Sequence, residues 1–565
     1  MRRAPFTCTL PLIAVLAVGC RGGDATPRSA TSDAGEPTNG GTMIIASAGE
    51  PETLFPALAQ TQEGRHITDQ VFDRLAEIGD SLNTVGDRGF SPRLARRWTI
   101  APDGRSVVFE LDPRARWHDG RPVRANDVRY SWRVSVDPKV GSPLASMLGN
   151  IDSVQVRDSL TPVVWFKRAT PEAFYDFVYQ VQIVPEHVYG AIPDAQLRTA
   201  EVSRRPIGSG RFRFVRWEPG ARLELAADEQ NYRGRPRLDR VIFVHAADFD
   251  AAITRLMAKE ADMFENVLPD HLPRLRSDSA IRILSYPGLQ TAFVAFNLRP
   301  GKAGAMPAPI FTDIAVRRAL AMAVDRKAML RNVFDSLGNL AVGPLPRAHP
   351  AADSTLRLPA FDVAGANRLL DSAGWKAGPE GVRTKNGRPL AFSLLVPSSS
   401  KARNAYAVLL EQAFRAVGAR AAIEQVDFPT FIQRTNTGTF DVAIHAIGVD
   451  PSPSTLRQYW TTEAVGKPGG NLAGYSNPTF DAMLDSLSVT RDAVQARALA
   501  VRATQRLADD VPAIWLYDVL TLGAAHRRLR PAVMRADAWW AGLADWWIPE
   551  GERLPRDRAP VVAAR

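Results

Sequence analysis

A mixed α/β protein with at least two lobes is what this sequence predicts, on three observations. The chain has 565 residues, well beyond the roughly 250 to 300 at which a single hydrophobic core stops growing. Apolar residues alternate with period two in some stretches and recur at helical spacing in others. Hydrophobic residues make up 45% and charged residues 23%, a globular balance, and past the first two dozen residues no apolar run approaches the ~20 needed to span a bilayer.

The N-terminus reads as an export signal. Arg2 and Arg3 supply a basic start, Phe6 to Val18 an apolar stretch, and Gly19-Cys20 a small-residue end. Leu16-Ala17-Val18-Gly19-Cys20 resembles a bacterial lipobox, with Ala17 where leucine is usual, and this implies that Cys20 is lipidated and becomes the first mature residue. The only other cysteine, Cys8, would leave with the leader, so no disulfide is expected. Residues 21–41 are rich in Gly, Ser, Thr, Asp and Pro, too polar to repay the entropy of ordering, and read as a flexible tether. The net charge is +10, two units of which leave with Arg2 and Arg3. The arginines are scattered among acidic residues rather than blocked together, and with the export signal this argues against a nucleic-acid partner.

The body opens on a short β-prone run, Thr42 to Ser47, followed by a loop held extended by Pro51 and Pro56. The spacing of Ile67, Val71, Leu75 and Ile78 predicts a helix from His66 to Ile78. Asp103-Gly104 predicts a hairpin turn, Val107, Phe109 and Leu111 one face of a strand, and Asp119-Gly120 a second tight turn. A helix then opens near Asn126, with Val128 and Trp132 on one face. Asp313 is placed to cap a helix whose stripe is Ile314, Val316, Leu320 and Val324. Phe440, Val442, Ile444 and Ala446 mark a strand that ends in the loop Asp450-Pro451.

The stretch from Leu94-Ala95 through Trp98, Asp103-Gly104, Phe109-Glu110-Leu111, Trp117-His118-Asp119-Gly120 to Asp127-Val128 resembles the family 5 extracellular solute-binding proteins, the peptide- and nickel-binding components of bacterial ABC importers. Trp117 stands where that family has Phe, and Arg124 where it has a helix-capping Thr, so the cap is expected to pass to Asn126. Further matches follow in family order. They include Ile207-Gly208-Ser209-Gly210, Asn231-Tyr232, Phe296-Asn297, Phe311 to Leu320 and Tyr475 to Asp481, and they cover nearly all of the mature body. The resemblance implies a two-lobed periplasmic-binding-protein-like fold, type II and cluster C-like, with an inserted extra subdomain and a hinge. It places the first lobe at 42–75, 205–285 and 520–555, the inserted subdomain at 76–204, the second lobe at 286–519 and a tail at 556–565, behind a signal peptide at 1–19 and the tether at 20–41.

No catalytic constellation stands out, so an enzyme is not expected. Gly208-Ser209-Gly210 lacks the spacing of a nucleophile elbow and reads as a tight turn. The eight histidines are dispersed without a His-x-x-x-His pair, so neither a protein-ligated metal nor a cofactor is expected. In peptide-binding members of the family an Asp at the place matching Asp450 receives the peptide's ammonium group, and some dipeptide-binding members carry an Arg near Arg403 for the carboxylate. The bland alternatives are an Asp-Pro turn and a solvated helix-start arginine. Trp539, Trp540, Trp546 and Trp547 are expected in C-terminal core packing rather than in the cleft. The implied function is the substrate-binding component of an ABC importer. It would be lipid-anchored at a membrane in the periplasm or on the cell surface, monomeric, and would capture oligopeptides or dipeptides for a permease. The alternatives are another solute (a nickel chelate, an oligosaccharide, an opine), a sensory receptor, or a secreted hydrolase that the residues do not support.

Overall fold

The computed structural model describes residues 36–558 except 60, 302–305, 336, 468 and 532–533. The expected signal peptide and Cys20 lie outside the described residues, as do residues 21–35 of the tether. From Thr38 the chain forms one unit, and it is a mixed α/β, two-lobed structure with a hinge.

An 11-stranded sheet runs through both lobes. The predicted first strand, Thr42–Ser47, lies parallel to Arg240–His245 on one side and Met263–Phe264 on the other, and beyond Arg240–His245 come Arg222–Ala227 and Phe212–Glu218. At the far end of the sheet lie Val442–Gly448, Ala391–Pro397 and Arg420–Val426. Two long antiparallel strands, Ile281–Phe296 and Ala513–His526, join these halves. Their first-lobe ends pair Ile281 to Pro287 with His526 to Leu520, and their second-lobe ends pair Thr291 to Ala295 with Asp518 to Ala513. Between Pro287 and Thr291 the register shifts. A second, smaller slip follows between Ala292 and Phe293; the gap at Pro287 to Thr291, in two strands that each serve both lobes, is a hinge, because the φ/ψ change is absorbed there while the paired ends stay rigid.

Each side of the hinge has its own core. Met43, Phe55, Val71, Phe212, Leu225 and Trp546 belong to the first-lobe cluster, so residues up to five hundred positions apart close one interior. A four-stranded sheet, ordered Ala95–Ile100, Ser106–Leu111, Thr161–Phe166, Ile151–Asp158, carries a separate cluster that includes Phe109, Trp117, Val128 and Phe177. Gly104, at φ +72°, turns the hairpin between its first two strands, a conformation that a residue with a Cβ adopts at a cost. In the second lobe the sheet is covered on one side by Phe296, Leu320, Leu394, Leu410 and Phe414 and on the other by Phe293, Trp460, Phe480 and Trp515.

Three local expectations change. The helix read at 66–78 is Gln62–Val71, capped by Thr61, whose side chain accepts from the Gly64 amide. The chain turns extended at Phe72, and Leu75 and Ile78 enter two other clusters; a sequence stripe does not show that one helix face ends while the next apolar residues serve a different core. The helix read from Asn126 is Ala125–Val136, and the Asp127 carboxylate, not Asn126, accepts the Arg124 amide at 2.8 Å. Asp313 does cap Ile314–Met322, through the Ala315 amide, but Ile314 itself is exposed.

Gly208-Ser209-Gly210 is a backbone crossing. A Cβ at Gly208 would stand 1.8 Å from the Val71 carbonyl oxygen and one at Gly210 2.2 Å from that of Gln70. Ser209 is fully buried and its hydroxyl donates to Asp73 at 3.3 Å. The C-terminal residues Arg556 and Asp557 are fastened to the first strand. Asp557 accepts the Thr42 amide, and Arg528 donates to both Asp557 and Asp262.

Candidate functional site

A cavity of about 700 Å³ opens at the hinge, within the 300–1,000 Å³ that ligand pockets occupy. The hinge strands supply Tyr286 and Gly288 to Gln290 on one side and Val519 to Leu522 on the other; the second lobe supplies Gly448 to Pro451. The first lobe supplies Arg65, Tyr179, Asp537, Trp539 and Trp540.

Asp450 reaches the cavity because of the strand before it. Val442–Gly448 pairs with the hinge strand from Phe296 back to Gln290, and the Val449 amide then bonds the Leu289 carbonyl at 2.8 Å, so the next residue leaves at the cavity wall. Its carboxylate is exposed to that space and makes no hydrogen bond or ion pair with a described side chain or amide. The turn is made by other groups: the Ser454 amide donates to the Ser452 hydroxyl at 3.0 Å, and Thr455 to the Asp450 carbonyl at 3.3 Å. The protein mass around it raises the Asp450 pKa above the ordinary carboxylate range, and the charge of Arg65 across the cavity opposes that rise.

Arg403 is not among the residues lining this cavity. It starts the helix Lys401–Arg415, whose Tyr406, Leu410 and Phe414 are fully buried, and its guanidinium lies 5.5 Å from the centre of the Phe431 ring. Burial lowers its pKa, Tyr517 opposes, and it forms no ion pair with a described carboxylate. The buried Tyr406 hydroxyl, one turn along the helix, has no hydrogen-bond partner among the described residues. Lys401, at the start of the same helix, pairs with Asp270 of the first lobe, so this edge of the second lobe faces the first. The structure thus brings Asp450 to the cavity and leaves Arg403 in a separate aromatic cluster.

Trp539 and Trp540 belong both to the first-lobe core and to the cavity wall, so two of the four tryptophans assigned by sequence to core packing alone also face the cleft. Trp540 donates its ring N–H to Asp69 at 2.7 Å and Trp539 to Glu265. Glu265 is 3% exposed. Burial pushes its pKa up to about 8, the charge of Glu63 adds to this, and the Trp539 and Gln62 donors oppose. His66 Nε2, 3.3 Å from the same carboxyl oxygen, is held near 3 by burial. Burial thus disfavours the charged form of both groups beneath the tryptophan wall. Nothing local in the sequence marks this, since Glu265 and Trp539 are 274 positions apart. Among the described residues no group of three or more His, Cys, Asp or Glu side chains is arranged to hold a metal ion.

The model of the bacterial extracellular solute-binding proteins, family 5, matches residues 89–467. The chain belongs to this family. The oligopeptide-binding protein AppA of Bacillus subtilis is 25% identical over 529 residues, covering 91% of this chain and 94% of its own. Its structure in complex with a nonapeptide matches with a TM-score of 0.67 at 22% identity, over 91% of this chain and 100% of that one. Protein XP55 of Streptomyces lividans is 30% identical over 505 residues, 88% of each chain. The substrate-binding protein CtaP of Listeria monocytogenes matches with a TM-score of 0.77 at 20% identity, over 91% of this chain and 100% of that one. As a family 5 solute-binding protein, the chain places a cavity between lobes joined by two strands, the architecture of hinge closure around a ligand.

Proposed function

We propose that this protein captures oligopeptides or dipeptides outside the cytoplasmic membrane and delivers them to an ABC permease without chemical turnover. One observation carries the reading: a hinge cavity of about 700 Å³ with an unpaired carboxylate, Asp450, on its wall. A carboxylate kept short of partners in a shielded cleft is a receptor for a cation, and a peptide's ammonium group supplies one in a charge-assisted bond. The main chain at Gly288 to Gln290 and Val519 to Leu522 borders the same space, where an extended peptide takes main-chain hydrogen bonds of the strand-addition kind, which read termini and length more than side chains. The nonapeptide held by the similar AppA supports the same cargo. Arg403, free of an anionic partner and one helical turn from the orphaned Tyr406 hydroxyl, is the candidate partner for the far carboxylate, met by longer ligands or on closure. At the N-terminus, lipid on Cys20 and the polar tether would hold the protein at a membrane and let the lobes reach the permease.

A matching peptide is expected to raise the melting temperature and to be recovered intact. Binding to the folded state alone adds RT ln(1 + [L]/Kd), about 2.7 kcal/mol at a hundredfold excess over Kd. A screen of di- to hexapeptides by thermal shift, with mass spectrometry of the recovered ligand, checks this. A shift with a sugar or metal chelate but no peptide moves the cargo to another solute, and cleaved peptide makes the protein a hydrolase. For the anchor, Cys20→Ala is expected to abolish incorporation of labelled fatty acid; persistence of the label in that variant removes the lipoprotein reading.

A further inference from the structure

The charged residues on the wall of the main cavity are Arg65, Asp450 and Asp537. Asp537 is already taken: Arg535 donates to each of its oxygens at 2.9 Å, and the Tyr179 hydroxyl donates to one of them at 3.0 Å. Arg65 and Asp450 remain. Both are exposed to the cavity, and neither side chain makes a hydrogen bond or ion pair with a described residue.

The two come from opposite lobes. Arg65 lies in the helix Gln62–Val71, whose Ile67 and Val71 are buried in the first-lobe core, and it lines the cavity together with Gln62 one turn before it. Asp450 follows the second-lobe strand Val442–Gly448. Their charges meet across the space: burial raises the Asp450 pKa and Arg65 draws it back. A guanidinium and a carboxylate that face one cavity from two lobes, each without a partner, suit a ligand carrying both signs. A purely cationic ligand would satisfy Asp450 but sit in the repulsive field of Arg65, and a purely anionic one would meet the reverse.

We propose that Arg65 is a specificity-determining residue that receives a carboxylate lying near the ligand's ammonium end, so that the preferred cargo carries both charges within this one cavity. The proposal rests on the peptide reading above, in which Asp450 holds the ammonium. The carboxylate has two sources of the same chemistry: the C-terminus of a dipeptide, or the side chain of an acidic residue close to the amino terminus of a longer peptide. Either presents two oxygens to the planar fork of a guanidinium. A ligand bonded to Arg65 and Asp450 at once ties one lobe to the other. Closure then strengthens both bonds by excluding water, and this differential affinity is what shifts the hinge toward the closed state.

Isothermal titration with two matched pairs of ligands tests this: Ala-Ala against its C-terminal amide, and Ala-Glu-Ala-Ala against Ala-Gln-Ala-Ala. The parent protein is expected to prefer the carboxylate member of at least one pair by about tenfold or more, as an ion pair shielded on closure gives. The pair that shows the preference identifies the source. In Arg65→Gln the preference is expected to fall to within about threefold, with affinity for the amide or glutamine member kept or raised, because the ammonium no longer faces a like charge. That retained affinity also reports a folded variant. Indifference of the parent to both pairs, a preference that survives the substitution, or an equal loss for both members of a pair overturns the role of Arg65 and leaves the peptide reading standing. ε-Aminocaproate carries the two charges on an alkyl chain without a peptide bond. If it binds the parent, loses that binding in Arg65→Gln, and no peptide binds, the peptide reading falls and Arg65 keeps its role. Binding of none of these ligands overturns both.

Discussion

Asp450→Asn is expected to weaken a free-amine peptide by about 30-fold or more, since removing one member of a desolvated charge pair costs roughly 2 to 5 kcal/mol. The ligand-free melting temperature should stay nearly unchanged or rise slightly. The carboxylate bonds no described group, the turn is held by Ser452 and Thr455, and burial already disfavours its charge. The sign follows from linkage: a carboxyl whose folded pKa is raised costs stability when ionised, so a neutral isostere removes a cost rather than a contribution. N-acetylating the peptide should cause a similar loss in the parent protein and little further loss in the variant, as a coupled pair requires. Equal affinity of variant and parent for the free-amine peptide, measured by calorimetry, would take Asp450 out of the site.

Asp262→Ala is expected to destabilise the first lobe by about 3 to 5 kcal/mol, the cost of breaking a buried ion-pair network from one side. Asp262 is fully buried. Its carboxylate accepts the Ile44 amide at 2.8 Å, Arg528 Nε at 2.8 Å and Arg556 Nη2 at 2.6 Å, and Arg528 reaches Asp557 at 2.6 Å. Truncating Asp262 leaves the Ile44 amide without that acceptor and Arg528 with one carboxylate instead of two. Adding Arg528→Met should deepen the loss, because it leaves the buried Asp557 carboxylate without its arginine. Urea unfolding measures both variants; a midpoint for Asp262→Ala within error of the parent would show that the network contributes nothing net.

Much of this protein is written locally. The strand at Thr42, the Asp313 cap and the strand that leads to Asp450 are each legible within a dozen residues, because strand alternation, helix caps and turn residues act over short spans. The ordered motifs from Leu94 to Asp481 were enough to indicate the family and the two-lobed fold.

Tertiary structure alone decided what depends on distant partners. The hinge is a register shift between strands separated by more than two hundred residues in the chain, and no period in either strand announces it. The helix stops at Val71 because Leu75 belongs to another core, the Glu265 pKa rises because distant segments bury it, and Arg403 stands off the cavity wall with its guanidinium over the Phe431 ring. Periodicity states which side of an element is apolar; which other side it meets, and what is left uncharged or unpaired there, is settled only when segments hundreds of residues apart share one interior.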